Sequence, residues 1–113
     1  MSTASLNFNE RKAIVTGGSR GIGKAIATFL AQNGADVAIA DTCSETSQAA
    51  AKEIIELTGQ NIICAPADVS DLEQVQEMIK QVTKEFGKVD ILVNNAGITR
   101  DDLIIRMPEK DWD

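Results

Sequence analysis

Four short apolar runs, separated by stretches with helical periodicity, limit the fold of this 113-residue chain more than any other feature. Each run is typical of a buried strand, and apolar residues recur three and four apart between the runs. Helical crossovers join strands in parallel, and buried parallel strands have continuous apolar sequences. The predicted strands are residues 12–16, 36–40, 61–65 and 89–93, and the predicted helices are residues 21–32, 44–57 and 70–86.

The order βαβαβαβ with right-handed crossovers predicts an α/β fold, a doubly wound parallel sheet of about four strands. Ser70 and Glu73 have the spacing of a capping box, which predicts that the third helix begins at Ser70. A further helix is predicted near Pro108, because proline suits a first helical turn. Two of the predicted helices carry apolar residues at helical spacing, which form one stripe along each helix. The stripes are Ile22, Ala25, Ile26, Phe29 and Leu30 in the first helix, and Leu72, Val75, Ile79, Val82 and Phe86 in the third.

The composition limits the partners of the chain. Eleven basic and seventeen acidic residues give a net charge of -6, which argues against nucleic acid, whose binders usually carry a basic face. No apolar run approaches the roughly 20 residues of a membrane span, and no signal peptide precedes the first strand. We therefore expect a cytoplasmic protein without membrane contact. Cys43 and Cys64 match no metal spacing, so we expect reduced thiols and no metal.

The segment VTGGSRGIGKA, residues 15–25, lies between a predicted strand and a predicted helix, where glycine-rich loops bind phosphate. Three glycine motifs compete for it. A P-loop needs serine or threonine after its lysine, but Ala25 stands there. The pattern G-x-G-x-x-G fails because Ile26 takes the place of the third glycine. The pattern T-G-x-x-x-G-x-G is matched in full by Thr16, Gly17, Gly21 and Gly23.

This pattern predicts contact with a pyrophosphate. Gly17 lets the chain turn out of the strand, Gly21 lets the backbone approach the phosphates, and Gly23 lets the helix pack closely on the sheet. Asp41 ends the second strand 24 residues after Gly17, near the spacing of an acid that binds ribose hydroxyls. The alternative for Asp41 is a carboxylate that caps the next helix.

Two stretches, TGGSRGIG (residues 16–23) and DILVNNAG (residues 90–97), together resemble the short-chain dehydrogenase/reductase family. The tail NNAGITRDDLIIRMPEKDWD resembles the 3-oxoacyl-[acyl-carrier-protein] reductases within it. The resemblance runs from about residue 8 to residue 113 and covers somewhat under half of the family's catalytic domain. It implies a Rossmann-type sheet, incomplete here. Residues 1–113 are thus expected to be the N-terminal dinucleotide-binding part of such a domain, truncated at its C-terminus.

The resemblance implies a nicotinamide dinucleotide cofactor. The glycine loop would follow its phosphates, Asp68 would accept from the adenine amino group, and Asn95 would meet the cofactor near the fourth strand. The alternatives are a helix-terminal carboxylate for Asp68 and a plain turn for Asn95. The cofactor-binding residues implied are Gly17, Ser19, Arg20, Gly21, Ile22, Gly23, Asp41, Asp68, Val69, Asn95, Ala96 and Gly97.

Two of these residues predict opposite forms of the cofactor. Arg20 can bind a 2′-phosphate through its forked donors, unless it is only a solvated loop cation, and so favours NADP. Asp41 repels a 2′-phosphate and favours NAD. The choice stays open, and the resemblance favours NADPH.

The catalytic group of the family is not found in this chain. The family transfers hydride between nicotinamide and a carbonyl, with a tyrosine as proton donor. The sequence has no tyrosine and no histidine, so we assign no catalytic residue and expect the chain alone to be inactive. The resemblance implies that the full-length enzyme reduces a 3-oxoacyl thioester of acyl-carrier protein in fatty acid synthesis.

Three alternatives to this function remain. In the first, the chain is a nucleotide-binding half-domain without turnover. In the second, it is part of another short-chain dehydrogenase acting on a small alcohol or ketone. In the third, it is a fragment that assembles with itself or a complementary piece. Whether the chain forms a homo-oligomer stays open.

Overall fold

The computed structural model describes residues 7–17, 21–42, 44–68, 70–95 and 104–106. The first helix and the first two strands have the predicted bounds. The second helix is one residue longer than predicted, and the third and fourth strands are each two residues shorter. The elements described are β1 (Lys12–Thr16), α1 (Gly21–Gln32), β2 (Asp36–Ala40), α2 (Ser44–Thr58), β3 (Ile62–Cys64), α3 (Leu72–Phe86), β4 (Ile91–Val93) and β5 (Ile104–Arg106).

These strands form one sheet in the order β3-β2-β1-β4-β5. Strand β1 pairs in parallel with β2 and β4, and β2 pairs in parallel with β3. The predicted doubly wound parallel sheet of four strands is therefore confirmed. The chain winds outward from β1 to β3 and then returns to the other side of β1 for β4.

Strand β5 was not predicted. It pairs antiparallel with β4, and Ile91 is opposite Arg106. Its three residues lie within DLIIRM, where an apolar run this short gives little periodicity. The helix predicted near Pro108 lies outside the described residues.

The helices cover both faces of the sheet. Residues of α1 and α2 pack with Ala13 and Val15 of β1 on one face. Residues of α3 pack with Ile14 of β1 on the other face. Successive residues of one strand thus enter two different cores, which explains why the strands are apolar at nearly every position. No helix in the described ranges is long and apolar enough to cross a membrane.

The apolar stripe noted in α1 faces the core only in part, with Ile26 packed at the edge of that core. Ile22 is 67% exposed and Phe29 is 44% exposed, whereas Leu30 alone of that stripe is buried. Small residues dominate the buried side because they let the helix axis approach the sheet closely. The buried residues of α1 are Gly23, Ala27, Leu30 and Ala31.

The predicted stripe of α3 was partly right. Val82 is fully buried, and Met78, which was not in the stripe, is also buried. Val75, Ile79 and Phe86 pack at the edge of the same core. Leu72 is 69% exposed, because it is the first residue of the helix and lies beyond that core.

The predicted capping box of α3 was also wrong. The N-cap is Asp71, whose side chain accepts from the backbone N–H groups of Glu73 and Gln74. The hydroxyl of Ser70 instead donates to the carboxylate of Asp68 at 2.6 Å. A carboxylate next to a helix N-terminus is a strong cap, so Asp71 takes the role predicted for Ser70. The helix ends at Gly87, as predicted.

The amino ends of the strands carry a network of ion pairs. Lys12 Nζ lies 2.6 Å from Asp36 Oδ2, and both side chains are largely buried. The carboxylate of Asp90 accepts the Lys12 N–H at 2.9 Å and lies 3.3 Å from Lys88 Nζ and 4.0 Å from Arg11. Asp90 is therefore a structural carboxylate next to the start of β4.

Candidate functional site

The polar segments that follow the four parallel strands meet at one edge of the sheet. Gly17 follows β1, Asp41 follows β2, Asp68 lies four residues after β3, and Asn95 lies two residues after β4. In doubly wound sheets, ligands bind at the carboxyl edge, where the winding direction reverses. That reversal lies between β1 and β4, so a ligand is expected beside Gly17 and Asn95.

The glycine loop begins with backbone conformations that favour glycine. Gly17 has φ 64° and Gly21 has φ 62°, both in the left-handed region. The N–H of Gly17 donates to the carbonyl of Ala40 at 2.7 Å, which ties the start of the loop to the end of β2. Among the described residues, its chain neighbours and the backbone of its own helix apart, no heavy atom lies within 4 Å of the position that a Cβ of Gly21 would take. The backbone at Gly21 is therefore open to a ligand.

Gly23 is needed for a different reason, namely close packing. A Cβ at this position would collide with the carbonyl oxygen of Gly17 and with Nδ2 of Asn95. Nδ2 of Asn95 also donates to that carbonyl, at 3.3 Å. The first turn of α1, the start of the loop and the end of β4 therefore meet at one point.

Thr16 joins the same elements from inside the sheet. Its side chain is buried, and Oγ1 accepts the N–H of Asn95 at 2.8 Å. The hydroxyl proton has two acceptors at 3.3 Å, the carbonyl of Val93 and Oδ1 of Asn94. The sequence motif contained Thr16 but gave no role for it. The structure assigns it the connection between the ends of β1 and β4.

The N-terminus of α1 has the electrostatics of an anion site. Its first turn carries no acidic residue, and the first N–H groups of a helix have no partner within the helix. Lys24, which a P-loop would direct toward phosphate, instead lies 2.6 Å from Glu53 of α2. This ion pair is a second reason, beside Ala25, to reject a P-loop.

The segments that carry the acids beyond β2 and β3 are joined at the sheet edge. The carbonyl of Asp41 accepts the N–H of Ala67 at 3.2 Å, which joins the ends of these strands. The carboxylate of Asp68 is exposed, and its Oδ1 accepts from the hydroxyl and the N–H of Ser70 at 2.6 and 3.0 Å. These two bonds lower the pKa of the Asp68 carboxyl, the hydroxyl contributing most. Asp68 lies three residues before the N-cap of α3, which is Asp71.

The structure thus brings together most of the predicted cofactor residues that it describes. Gly17, Gly23 and Asn95 meet at the ends of β1 and β4, Gly21 and the exposed Ile22 begin α1, and Asp41 and Asp68 follow β2 and β3. Sequence reasoning missed Gln74, whose side chain binds the backbone of Asp68, and mistook the role of Ser70. The remaining predicted residues lie outside the described ranges: Ser19, Arg20, Val69, Ala96 and Gly97.

Metal chemistry has no visible support in the part of the chain that the structure describes. No three histidine, cysteine or acidic side chains converge there. Cys64 is a free thiol, and partial burial raises its pKa. Cys43 lies outside the described residues.

A parallel sheet with helices on both faces and a glycine loop between β1 and α1 defines an α/β domain of the Rossmann type. Within that class the chain belongs to the short chain dehydrogenase family, whose family model matches residues 11–113. Members of this family are NAD(P)-dependent oxidoreductases.

Two curated relatives share one function. The chain is 47% identical over 103 residues to a 3-oxoacyl-[acyl-carrier-protein] reductase from Staphylococcus aureus, covering 91% of this chain and 42% of the relative. It is 47% identical over 107 residues to the reductase of that name from Vibrio cholerae, covering 95% of this chain and 42% of the relative. The chain therefore spans about two-fifths of the length of these relatives.

Solved structures have the same fold. A dehydrogenase/reductase from Sinorhizobium meliloti superposes with a TM-score of 0.76 at 41% identity, covering 80% of this chain and 36% of that one. L-Sorbose reductase from Gluconobacter frateurii, solved with NADPH and L-sorbose, superposes with a TM-score of 0.79 at 32% identity, covering 95% of this chain and 41% of that one.

Proposed function

We propose that this chain binds a nicotinamide dinucleotide along the carboxyl edge of its sheet. We further propose that it is the N-terminal, cofactor-binding portion of a 3-oxoacyl-[acyl-carrier-protein] reductase. The observation that carries the first proposal is the convergence at Gly23, where Gly17 and Asn95 leave no room for a side chain. The second rests on 47% identity to relatives with that function, against 32% to the L-sorbose reductase.

The order of the strand ends supports one orientation of the cofactor. The pyrophosphate would lie over Gly17 and Gly21 at the N-terminus of α1, where backbone N–H groups favour negative charge. The adenosine would extend past Asp41 toward Asp68, across two strand spacings, or roughly 10 Å. The nicotinamide would extend the other way, past Asn95 on the β4 side. This layout assigns each described segment at the edge one part of the ligand.

The glycine geometry fits this ligand. The open backbone at Gly21 permits the close approach that a pyrophosphate needs, and the carbonyl of Gly17 accepts a hydrogen bond from the Asn95 amide. When bound, the cofactor supplies the hydride that reduces a substrate carbonyl. The residues of this chain bind and orient it.

The proton donor for that reaction is proposed to lie outside these 113 residues. The sequence has neither tyrosine nor histidine, so the family's tyrosine cannot come from this chain. We therefore propose that the chain binds the cofactor without turnover. Its full-length counterpart would act in the cytoplasm on a 3-oxoacyl thioester of acyl-carrier protein.

The form of the cofactor depends on Asp41. Its carboxylate lies at the end of β2, where it would repel a 2′-phosphate and favour NAD. The resemblance to the acyl reductases favours NADPH, and we propose NADPH on that ground. Titration with both forms decides the question, and Asp41→Asn should shift the affinity ratio toward NADPH.

Calorimetric titration of the chain with NADPH and NADH tests the proposal, together with a turnover assay on an acetoacetyl thioester. We expect saturable binding of at least one form and no turnover. Gly21→Val should abolish binding, because the side chain would occupy the open backbone at the pyrophosphate. Gly59→Val is the matched control, since Gly59 also has a positive φ and open surroundings but lies at the end of α2.

Each result has one interpretation. A folded chain that binds neither dinucleotide contradicts the proposed binding function. Equal losses in the two glycine variants would mean that backbone strain, rather than the pyrophosphate, explains the effect. Measurable turnover by the wild-type chain would refute the proposal that the proton donor lies elsewhere.

A further inference from the structure

The one Asn-Gly pair in the sequence, Asn33-Gly34, follows the last residue of α1. Glycine has no Cβ, so its backbone nitrogen is poorly shielded from the side chain of a preceding asparagine. Here the pair forms the turn that ends the helix. The N–H of Gly34 donates to the carbonyl of Ala31 at 3.1 Å, and the N–H of Ala35 donates to that of Leu30 at 3.0 Å. These are the two bonds of a Schellman motif, and Gly34 has the positive φ, 107°, that suits it.

The reactive groups of this pair are held apart from reaction by hydrogen bonds. Nδ2 of Asn33 donates to the carbonyl of Phe29 at 2.8 Å. The carbonyl of Asn33 accepts the N–H of Phe8 at 2.8 Å, and the carbonyl of Gly34 accepts Nε2 of Gln60 at 3.0 Å. Attack by the Gly34 nitrogen on the Asn33 side chain requires both groups to leave their partners. The closed turn is therefore protected.

Residues 7–10, called segment 7–10 below, cover this turn. The half-buried ring of Phe8 lies edge-on to Phe29, with 6.4 Å between the ring centroids, and packs at the edge of the core. A Cβ on Gly34 would collide with the side chain of Asn9, so the two residues are in close contact. A segment held by few contacts opens at a lower free energy than the sheet. Opening of segment 7–10 therefore exposes the turn without unfolding the core.

We propose that Asn33 is a site of spontaneous deamidation, and that opening of segment 7–10 permits the reaction. The Gly34 nitrogen attacks Cγ of Asn33 and forms an N–Cγ bond. The bond from Cγ to Nδ2 breaks, and Nδ2 leaves as ammonia with the proton of the Gly34 nitrogen. Water then opens the succinimide ring, which leaves aspartate or isoaspartate at position 33. The reaction needs only water, so it is independent of the proposed cofactor function.

The product weakens the turn that protected the asparagine. A carboxylate has no proton to donate to the carbonyl of Phe29, and its charge opposes the dipole at the C-terminus of α1. The last turn of α1 has no basic residue to offset that charge. The release of ammonia makes the change one-way. Deamidation therefore marks older copies of the chain with a loosened end of α1.

Peptide mapping by mass spectrometry measures aspartate and isoaspartate at position 33 after incubation at mildly alkaline pH. We expect the folded chain to react about a hundredfold more slowly than the chain unfolded in urea. Phe8→Ala removes the ring that holds segment 7–10 and should accelerate the reaction of the folded chain about tenfold.

Phe86→Ala is the matched control. Phe86 is also half-buried, but it packs against the core on the other face of the sheet. We expect it to accelerate the reaction at most about twofold, whereas equal acceleration would mean that the reaction follows global unfolding. Hydrogen exchange of the wild-type chain gives the same test without a variant. The amides of Phe8 and Gly34 should exchange at least tenfold faster than the amide of Ile14 in β1.

The effect of the product is tested with Asn33→Asp. This variant should exchange the Phe8 amide about tenfold faster than the wild type. Gln32→Glu adds the same charge in the same turn but keeps Nδ2 of Asn33, so we expect about a twofold change. An equal effect of both variants would contradict the role of the bond to Phe29.

Three results would overturn the inference and leave nucleotide binding untouched. The first is equal deamidation rates in the folded and the unfolded chain. The second is equal acceleration by Phe8→Ala and Phe86→Ala. The third is the absence of product at position 33 in the unfolded chain.

Discussion

Replacing Gly23 by alanine tests the packing of the glycine loop, because that packing determines whether the free energy of unfolding rises or falls. Gly23 lies inside α1, where alanine would ordinarily stabilise the helix by about 1 kcal/mol relative to glycine. Here the added Cβ would collide with the carbonyl oxygen of Gly17 and with Nδ2 of Asn95. One of these atoms belongs to the backbone, so the loop itself must move. We expect the variant to be destabilised.

The magnitude follows from three contributions. Forcing a methyl group into a filled space costs about 1–3 kcal/mol. Separating Asn95 from the Gly17 carbonyl adds about 1 kcal/mol, which the helix-propensity gain offsets. The net loss is then about 1–3 kcal/mol. For a domain of this size the melting temperature should fall by about 4–12 °C.

Urea unfolding measures this change, and Ala25→Gly supplies the matched control. Ala25 lies two residues further along the same helix on its exposed side, so its replacement reports the propensity difference alone. We expect that control to lose about 1 kcal/mol. A Gly23→Ala chain as stable as the wild type, or more stable, would refute the close packing of α1 on the loop.

Three further changes test neighbouring contacts. Thr16→Val should cost about 1–3 kcal/mol in urea unfolding, because it leaves the N–H of Asn95 without its buried acceptor, whereas Thr16→Ser keeps that acceptor. Asp71→Ala should cost about 0.5–2 kcal/mol in thermal unfolding by removing the N-cap of α3, and an equal loss in Ser70→Ala would contradict the assigned cap. The folded-state pKa of Asp68 lies below its unfolded value, so its bonds to Ser70 stabilise the fold above the unfolded pKa. That contribution is lost as pH falls through the folded pKa. An NMR titration of the Asp68 carboxyl should therefore show a higher pKa in the Ser70→Ala chain, and an unchanged pKa would contradict the role of that hydroxyl.

The places of the candidate residues in the fold were predictable wherever strand order determines position. Gly17 and Asn95 are 78 residues apart, yet both follow strands that pair in parallel with a common direction. Once the strands were recognised as parallel, their carboxyl ends had to share one edge. The bounds of β1 and α1 were predictable because a glycine-rich segment separates them and an Asn-Gly pair follows α1.

Prediction failed where two similar residues competed for one role. Helix α1 has apolar residues on two sides, and periodicity alone does not indicate which side faces the sheet. The side with Gly23 and Ala27 faces inward because close approach requires small residues, so Phe29 stays partly exposed. Ser70 and Asp71 are both suitable N-caps, and in the structure Asp71 caps the helix while the Ser70 hydroxyl donates to Asp68.

The ion pairs of Lys12, Asp36 and Asp90 have a consequence for how this protein can be altered. They lie at the amino ends of the strands, one strand length, or about 17 Å, from the glycine loop. This distance exceeds the Debye length of about 8 Å at physiological salt. A change of charge at the amino edge should therefore alter thermal tolerance while leaving nucleotide affinity nearly constant. Engineering and natural divergence can thus adjust thermal stability at the amino ends of the strands and ligand choice at their carboxyl ends. A change at one end should have little effect on the property set at the opposite end.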